Sequence, residues 1–301
     1  MLDRFKRYQP IIDDYDAFQR ALATPLPRTI WASPLKRSLE HIDQEIRALC
    51  PEAVPLKWRR HAWRLPPDAR PGAWLLHLLG TIYVQEEAAM VAGRVVNPRP
   101  GERVLDLCAA PGGKSVQLAV SMADRGQLVL NEKSFGRLGG LRGNINRMGI
   151  TCATVNHDDG LRLKLPDQLF DRVLVDAPCT CEGTSRKSTK GRRTADSHDR
   201  NVLVQIQVGL LRKALRLVKP GGTVVYSTCT YAPEENEGVL NRIGTEVAMI
   251  EPIELPSTLR ATAGIPSWGT TQYRTDVQNS VRLWPHQNDT GGFFIAKLRR
   301  L

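Results

Sequence analysis

Five short apolar runs, separated by segments with helical spacing, constrain the fold of this chain more than any other feature. Each run is apolar throughout rather than alternating, which is typical of parallel strands covered on both faces. The runs are RVLDL, QLVLNE, CATVN, DRVLVDA and TVVYSTC. The segments between them with helical spacing are KSVQLAVSMA, SFGRLGGLRGNINRMG and NVLVQIQVGLLRKALRLVK. This alternation predicts an α/β fold with a doubly wound, mostly parallel sheet of the Rossmann-like class.

The first ninety or so residues follow a different pattern. They contain a helical segment from Tyr15 to Leu22, a strand-like PRTIWAS, a helix from Pro34 to Leu49 and the segment PLKWRRHAWRLPP. This order predicts a small α+β domain. The segment VVNPRPG, Val95 to Gly101, is the best boundary, so we predict one domain over residues 1–94 and a second over 95–301. The run GGFFIAKLRR predicts a terminal strand in the second domain.

The charge balance favours a polyanionic partner. The chain has 42 Lys and Arg residues against 31 Asp and Glu residues, a formal net charge of +11. Nucleic acid is the commonest polyanion that such a surface meets, with solubility alone as the alternative explanation. No apolar run approaches the ~20 residues of a membrane helix, and the N-terminus lacks the apolar segment of a secretory signal. The six sparse cysteines are typical of intracellular thiols. We therefore expect a cytoplasmic protein without a membrane association.

The turn after the first run, CAAPGGKS, raises the possibility of a phosphate loop. That loop requires glycine at its first position so that backbone amides can wrap the phosphates. Counting back from Gly113, the first position is Cys108, and the turn contains no Gly-x-Gly-x-x-Gly either. A P-loop nucleotide hydrolase is therefore disfavoured, and ATP hydrolysis by the pure protein would revive it.

Acidic residues follow four successive predicted strands. They are Asp106, Glu132, the pair Asp158 and Asp159, and Asp176. Open α/β sheets bind ligands at the carboxyl ends of their strands, and a carboxylate after the second strand can accept both ribose hydroxyls of a nucleoside. Each acid taken alone is better explained as a solvated loop residue or a helix N-cap. Together they predict a site for a nucleoside with a cationic, non-phosphate tail, such as S-adenosylmethionine.

Two cysteines lie at the ends of the fourth and fifth predicted strands. Cys179 follows Asp176 in DAPC, and Cys229 stands in STCTY. Neighbouring strands are about 4.8 Å apart, so both thiols can reach a common pocket if these strands are adjacent. A single strand-end cysteine is more often a buried small hydrophobe, but two beside an aspartate favour a catalytic role.

These motifs resemble those of the NOL/NOP/Sun family of RNA cytosine-5 methyltransferases. The similar segments are DLCAAPGGKS, DAPC, STCTY with its downstream EEN, RLWPHQNDTGGFFIAKLR and, before the α/β fold, IYVQEEAAM. They occur in order over residues 82–299, and YQPIIDDYDAF and PRTIW are more weakly similar to the family's accessory region. The resemblance implies an enzyme that makes 5-methylcytosine in structured RNA, either tRNA or rRNA. It also implies RNA recognition by residues 1–94 and an S-adenosylmethionine-dependent methyltransferase domain over 95–301.

The family resemblance assigns catalytic roles to four residues. Carbon 5 of cytosine is a poor nucleophile until a thiolate adds at carbon 6, and a base must later remove the proton on carbon 5. By resemblance Cys229 makes the attack, Cys179 assists elimination, Asp176 hydrogen-bonds the base and Lys114 reaches into the same pocket. The residues alone do not choose between the cysteines, because DNA cytosine methyltransferases use the Pro-Cys cysteine as the nucleophile.

The same resemblance places S-adenosylmethionine. Glu132 would hold the ribose, Arg137 would brace that acid, and Asp159 rather than Asp158 would face the adenine. The residues expected to bind the co-substrate are Cys108, Ala109, Ala110, Pro111, Gly112, Gly113, Lys114, Glu132, Arg137, Asp159 and Asp176. One departure is Cys181, where the family often has glycine. We expect this thiol to be a spectator and no metal to be bound, since no further Cys or His ligand at zinc-site spacing is evident.

Two basic segments are candidates for holding RNA. Lys57 to Arg70 interleaves Trp58 and Trp63 with arginines, which suits single-stranded RNA, although buried tryptophans with a solvated basic edge are equally consistent. Ser185 to Arg193 is predicted to be a loop that orders on RNA binding. The chain ends directly after the FFIAKLRR run, a compact form that resembles tRNA enzymes, but rRNA stays open. We expect a monomer without an obligate protein partner. The alternative function is a methyltransferase-like RNA assembly factor whose catalysis is dispensable.

Overall fold

The computed structural model describes residues 3–187 and 197–301. The α-helices there are α1 (Tyr15–Ala23), α2 (Leu39–Leu49), α3 (Leu75–Leu78), α4 (Glu87–Val96), α5 (Gly113–Ser121), α6 (Phe135–Met148), α7 (Ser197–Leu217), α8 (Glu237–Leu240) and α9 (Pro285–Asn288). The strands of the main sheet are β5 (Arg103–Asp106), β6 (Gln127–Asn131), β7 (Ala153–Asn156), β8 (Phe170–Asp176), β9 (Val218–Thr228), β10 (Ala248–Glu251), β11 (Thr262–Ala263), β14 (Val281–Leu283) and β15 (Phe293–Arg300). The remaining strands are β1 (Arg28–Ala32), β2 (Val54–Pro55), β3 (Ala62–Leu65), β4 (Ile82–Val84), β12 (Ser267–Trp268) and β13 (Thr271–Gln272).

The five predicted parallel strands are confirmed as β5 to β9. The main sheet has the order β11-β14-β15-β9-β8-β5-β6-β7, with β10 also paired to β15. Strands β5 to β9 run parallel, whereas the predicted terminal strand β15 is antiparallel to β9. The order reverses between β5 and β8, which is where doubly wound sheets open a crevice for ligands.

The small N-terminal sheet is antiparallel, with the order β2-β3-β1-β4. The predicted helix from Pro34 starts later, at Leu39, because the side chain of Ser38 accepts a hydrogen bond from the backbone of His41 and caps the helix there. Helix α4 crosses the predicted boundary at residue 94. Its buried Val91 and Val96 belong to one apolar cluster with Trp31 of the small sheet and Leu118 of α5. The two-domain division stays a prediction.

Most of the basic segment Ser185 to Arg193 lies outside the described residues, since 188–193 are not among them. Within the described ranges, no helix combines the length and apolar character needed to cross a membrane.

Gly80 lies just before β4 and packs against the C-terminal end of α6, and we expect Gly80→Ala to destabilise the fold. Its φ is +70°, and an added Cβ would lie 1.8 Å from the carbonyl oxygen of Arg147. Both the left-handed backbone and the clash oppose a side chain, so the free energy of unfolding should fall by about 2–4 kcal/mol.

Urea unfolding followed by circular dichroism measures this change. Gly139→Ala is the matched control, because Gly139 lies exposed in α6 with no atom within 4 Å of an added Cβ. Alanine there should stabilise the helix by about 0.5–1 kcal/mol. Equal effects of the two substitutions would contradict this account.

Candidate active site

The carboxyl ends of β5, β6, β8 and β9 open into one cavity of about 950 Å³. Most of the predicted site residues line it, namely Cys108, Ala110, Pro111, Lys114, Glu132, Arg137, Asp159, Asp176, Cys179 and Cys229. The predicted residues Ala109, Gly112 and Gly113 do not line the cavity. The parallel strands bring together side chains that are up to 121 residues apart in the chain, because their carboxyl ends share one edge.

The turn from Cys108 to Lys114 shapes one wall of this cavity. The backbone N–H of Ala109 donates to the carbonyl of Asn131, 2.9 Å away, which ties the turn to the end of β6. Gly112 has a φ of +107° and precedes the first residue of α5, a conformation that glycine adopts without steric cost. The turn thus delivers Lys114 to the cavity from the first turn of α5.

Glu132 is held by the backbone around it. It is only 4% exposed, and its carboxylate accepts hydrogen bonds from the N–H groups of Ala110 at 3.2 Å and Ser134 at 2.8 Å. Arg137 lies 3.3 Å from the same carboxylate and also donates to the carbonyl of Ala110. The arginine therefore braces the carboxylate of Glu132.

Asp159, and not Asp158, is the acid of the NHDDG segment that lines the cavity. Lys133 donates to its carboxylate at 2.8 Å, and this hydrogen bond lowers the pKa of Asp159. The carboxylate of Asp158 instead accepts from the backbone N–H of Asp159 at 2.8 Å. Two carboxylates, Glu132 and Asp159, thus lie on the same side of the cavity, at the ends of β6 and β7.

Lys114 and Asp176 form a charged pair on the cavity floor. The Nζ atom of Lys114 is 2.8 Å from one oxygen of Asp176, and the hydroxyl of Ser227 donates to the other oxygen at 2.8 Å. Burial lowers the pKa of Lys114, but the charge of Asp176, the hydrogen bond to it and the nearby Cys229 and Asp106 together outweigh burial and raise the net pKa. The ammonium also lies 5.0 Å from the ring centre of Phe293. Lys114 is therefore a fixed cation in the cavity.

Cys179 and Cys229 face each other beside this pair. Their sulfur atoms are 3.4 Å apart, and the sulfur of Cys181 is 4.0 Å from that of Cys179. Hydrogen bonds with the neighbouring thiols and burial raise the pKa of Cys179 well above its usual value. The hydrogen bond from Cys179 lowers the pKa of Cys229, but contact with Cys181 and burial outweigh it and raise the net pKa. Only the thiolate form of a cysteine is nucleophilic, so either thiol would have to lose its proton before it could act as a nucleophile.

Sequence reasoning missed a residue that holds the Cys179 loop. Glu235 is fully buried, and its carboxylate accepts from the backbone N–H and the hydroxyl of Thr180, at 3.0 and 2.6 Å, and from Gln207 at 2.9 Å. Thr180 separates Cys179 from Cys181. The available signal was the EEN motif, which was matched to the family without a role for its members.

Asp106 follows a strand like the other acids but does not line the cavity. It is 1% exposed and accepts a hydrogen bond from the hydroxyl of Ser115 at 2.7 Å. Burial raises its pKa from 3.8 to about 7. The expectation that four strand-end carboxylates share the ligand edge is therefore wrong for Asp106, whose side chain lies beneath the turn.

This pKa predicts a pH dependence of stability. Between pH 4 and 7 the unfolded chain loses the Asp106 proton while the folded protein keeps it, so the free energy of unfolding falls as pH rises through this window. The Asp106→Asn variant has no carboxyl group to titrate at this position, so its free energy of unfolding should not fall for this reason. The difference in free energy of unfolding, variant minus wild type, should therefore increase as the pH rises. Urea unfolding at several pH values measures the difference. A difference that is constant with pH would show that Asp106 has its ordinary pKa.

The tryptophans of the first basic segment are core residues. Trp58 and Trp63 are 8% and 5% exposed, and the indole N–H of Trp58 donates to Glu87 at 2.7 Å. Of the two explanations that the sequence left open, the structure supports buried tryptophans rather than stacking platforms for RNA. Lys57 and Arg60 of the same segment are exposed, so its basic edge is available to a polyanion.

Known proteins match this chain along nearly its whole length. The family described as 16S rRNA methyltransferase RsmB/F matches residues 93–299. A tRNA (cytosine(49)-C(5))-methyltransferase of Pyrococcus abyssi is 34% identical, over 98% of this chain and 94% of its own. Ribosomal RNA small subunit methyltransferase F of Erwinia tasmaniensis is 31% identical over 98% of this chain, which spans 62% of that protein.

Solved structures agree with the fold. The structure of a methyltransferase homolog protein from Pyrococcus horikoshii has a TM-score of 0.85 and 30% identity, covering 99% of this chain and 94% of the other. The structure of NSun6 from Pyrococcus horikoshii with SFG has a TM-score of 0.81 at 20% identity, covering 99% and 97%. The α/β methyltransferase fold with a small N-terminal sheet, predicted from the sequence, is confirmed.

Proposed function

The chain belongs to the RsmB/F family, the NOL/NOP/Sun group of RNA (cytosine-5)-methyltransferases, and we propose that it methylates carbon 5 of a cytosine in tRNA. The observation that carries this proposal is the pair of sulfur atoms, those of Cys179 and Cys229, 3.4 Å apart beside the Lys114–Asp176 pair in one cavity. Cytosine-5 methylation through a covalent adduct needs one thiolate as nucleophile and a second group to assist elimination. In this proposal Cys229 supplies the thiolate and Cys179 assists elimination.

The cavity fits S-adenosylmethionine as the methyl donor. Glu132 is held by two backbone N–H groups and lines the cavity with Asp159; the proposal gives Glu132 the ribose hydroxyls and Asp159 the adenine side. Both acids also suit a ligand with a sulfonium cation, and the turn lacks the glycine pattern of a phosphate cradle. When bound there, the donor supplies the methyl group. The residues proposed to hold it are the 108–114 turn, Glu132, Arg137, Asp159 and Asp176.

The proposed chemistry uses the two thiols in turn. The Cys229 thiol gives its proton to N3 of the cytosine as its sulfur bonds to carbon 6, which makes carbon 5 nucleophilic enough to take the methyl group. Cys179, after losing its own proton to water, accepts the proton that leaves carbon 5, and the carbon 6–sulfur bond breaks to release the Cys229 thiolate, which takes back the proton from N3. Asp176 hydrogen-bonds the cytosine near N3 and N4, and Lys114 keeps that carboxylate in place. No step requires a metal.

The relatives act on different RNAs, so the choice of tRNA as the substrate needs its own test. The tRNA (cytosine(49)-C(5))-methyltransferase of Pyrococcus abyssi is 34% identical to this chain, and ribosomal RNA small subunit methyltransferase F of Erwinia tasmaniensis is 31% identical. Bisulfite sequencing of total RNA from a deletion strain decides the matter. Loss of one methylated cytosine in tRNA is expected, and a loss confined to small-subunit rRNA would assign the other substrate.

We expect Glu132→Gln to weaken the binding of S-adenosylmethionine by about 10- to 100-fold, since the carboxylate would otherwise accept the ribose hydroxyls. The glutamine side chain would also turn its NH₂ group, a hydrogen-bond donor, toward one of the two backbone N–H groups that donate to the Glu132 carboxylate. Isothermal titration calorimetry measures the affinity. Asp158→Asn is the matched control, because Asp158 lies at the next strand end outside the cavity lining, and its affinity should be that of wild type. Unchanged binding by Glu132→Gln would remove this acid from the proposed site.

A further inference from the structure

The active-site cavity contains a cluster of three thiols, one more than the proposed reaction uses. The sulfur atoms of Cys179, Cys181 and Cys229 all lie within 4.8 Å of one another. The sequence shows no third ligand at zinc-site spacing from the Cys-x-Cys pair, because Cys229 lies 48 residues after Cys181 and only the fold brings it there. We propose that these three cysteines form a binding site for a soft divalent metal ion of the zinc type, which inhibits the enzyme reversibly.

The spacing of the sulfur atoms suits such an ion. Zinc binds thiolates at about 2.3 Å, so three sulfurs around one tetrahedral centre are about 3.8 Å apart. The two separations from Cys179 are 3.4 Å to Cys229 and 4.0 Å to Cys181, on either side of that value. A small movement of side chains therefore closes a three-sulfur face around the ion.

Cys181 holds its sulfur in this cluster despite an unfavourable backbone. Its φ is +57°, a left-handed conformation that costs an L-residue about 1–2 kcal/mol and that glycine adopts freely. The thiol nevertheless faces the cavity and donates to the carbonyl of Cys179 at 3.3 Å. The chain thus has a cysteine at a position whose backbone conformation favours glycine.

The site is accessible from the cavity. All three cysteines are half-buried and line the cavity, so an ion can enter and a water can fill its fourth position, as in zinc sites with an open coordination position. Three thiolates and one divalent ion leave one net negative charge. Binding would release the thiol protons.

Metal binding removes the nucleophile from the reaction. This consequence rests on the proposed function, because a Cys229 thiolate bound to a metal is not free to add to carbon 6. The binding itself rests only on the three sulfurs, so the two are tested separately.

Cadmium is the probe for binding, with zinc for activity. The untagged full chain, reduced with a phosphine and freed of reductant, is titrated with Cd²⁺ while the thiolate-to-metal charge-transfer absorbance is recorded. We expect one ion per chain with the intensity of three thiolates. In Cys181→Gly the intensity should fall to two thiolates and the affinity by at least about 10- to 100-fold, since loss of even a supporting contact has that effect. Cys152→Ala, which removes a thiol outside the cluster, should match wild type.

Methylation assays complete the test. Zinc should inhibit wild type, a chelator should restore it, and Cys181→Gly should be at least about tenfold less sensitive. A three-thiolate signal in Cys181→Gly, or its loss in Cys152→Ala, would overturn the site. Full activity of the zinc-bound protein would overturn the inhibition. A metal-free wild type that methylates no cytosine would instead count against the proposed function and leave the binding result standing.

Discussion

A Cys179→Ala variant is expected to accumulate a covalent protein–RNA adduct that survives denaturing gel electrophoresis. Cys229 can still add to carbon 6 and the methyl group can still be transferred, but the proton on carbon 5 then lacks its acceptor and the carbon–sulfur bond does not break. Turnover should fall by at least about 10³-fold while one methyl group per enzyme is still transferred.

The paired variant makes the assignment of roles falsifiable. Cys229→Ala should lose methyl transfer by about 10⁴-fold or more and form no adduct, and the double variant should also form none. Cys152→Ala controls for loss of a thiol elsewhere and should behave as wild type. An adduct that persists in the double variant would show that neither of these thiols is the nucleophile.

The same variants separate the enzyme from the alternative of an RNA assembly factor. A factor with dispensable catalysis would keep its cellular function in Cys229→Ala, whereas the enzyme would not. The deletion strain is therefore complemented with Cys229→Ala, and the degree of rescue is compared with the methylation found by bisulfite sequencing. Full rescue without methylation would favour the alternative.

An Asp176→Asn variant is expected to lose about 10³-fold or more of its single-turnover rate. Asp176 accepts from Lys114 and from Ser227, each at 2.8 Å, so the substitution removes the group proposed to bind cytosine and leaves the Lys114 ammonium without its partner. Removal of one preorganised group that acts on developing charge commonly costs 10²–10³-fold, and breaking this half-buried ion pair adds to that loss.

Ser227→Ala is the matched control for Asp176→Asn. It removes a hydrogen bond to the same carboxylate but keeps the charge beside Lys114, so a smaller loss, about tenfold, is expected. Circular dichroism and urea unfolding separate loss of the fold from loss of chemistry. Equal losses in the two variants would show that the charge of Asp176 is not what the reaction needs.

Much of the fold followed from the local pattern of the chain. The strands β5 to β8 agree with the predicted runs within one residue at each end, because a buried parallel strand is apolar along its whole length. Strand β9 begins at Val218, five residues before the predicted run. Glu132, Asp159 and Asp176 line the cavity as their positions after these strands predicted. Local signals also failed in identifiable places. Helix α2 begins at Leu39 because Ser38 caps it, not at Pro34 where the apolar spacing begins.

The sequence by itself determined which segments become strands and helices, and at which edge of the sheet the chemistry-bearing residues collect. Only the tertiary structure decided which side chains meet there. It buries Asp106 against Ser115, places Trp58 in the core, and brings Cys229 to within 3.4 Å of Cys179 across 50 residues of chain. The reason is physical. Hydrophobic periodicity records how each segment is buried on its own, whereas contacts between distant residues depend on how all segments pack together at once.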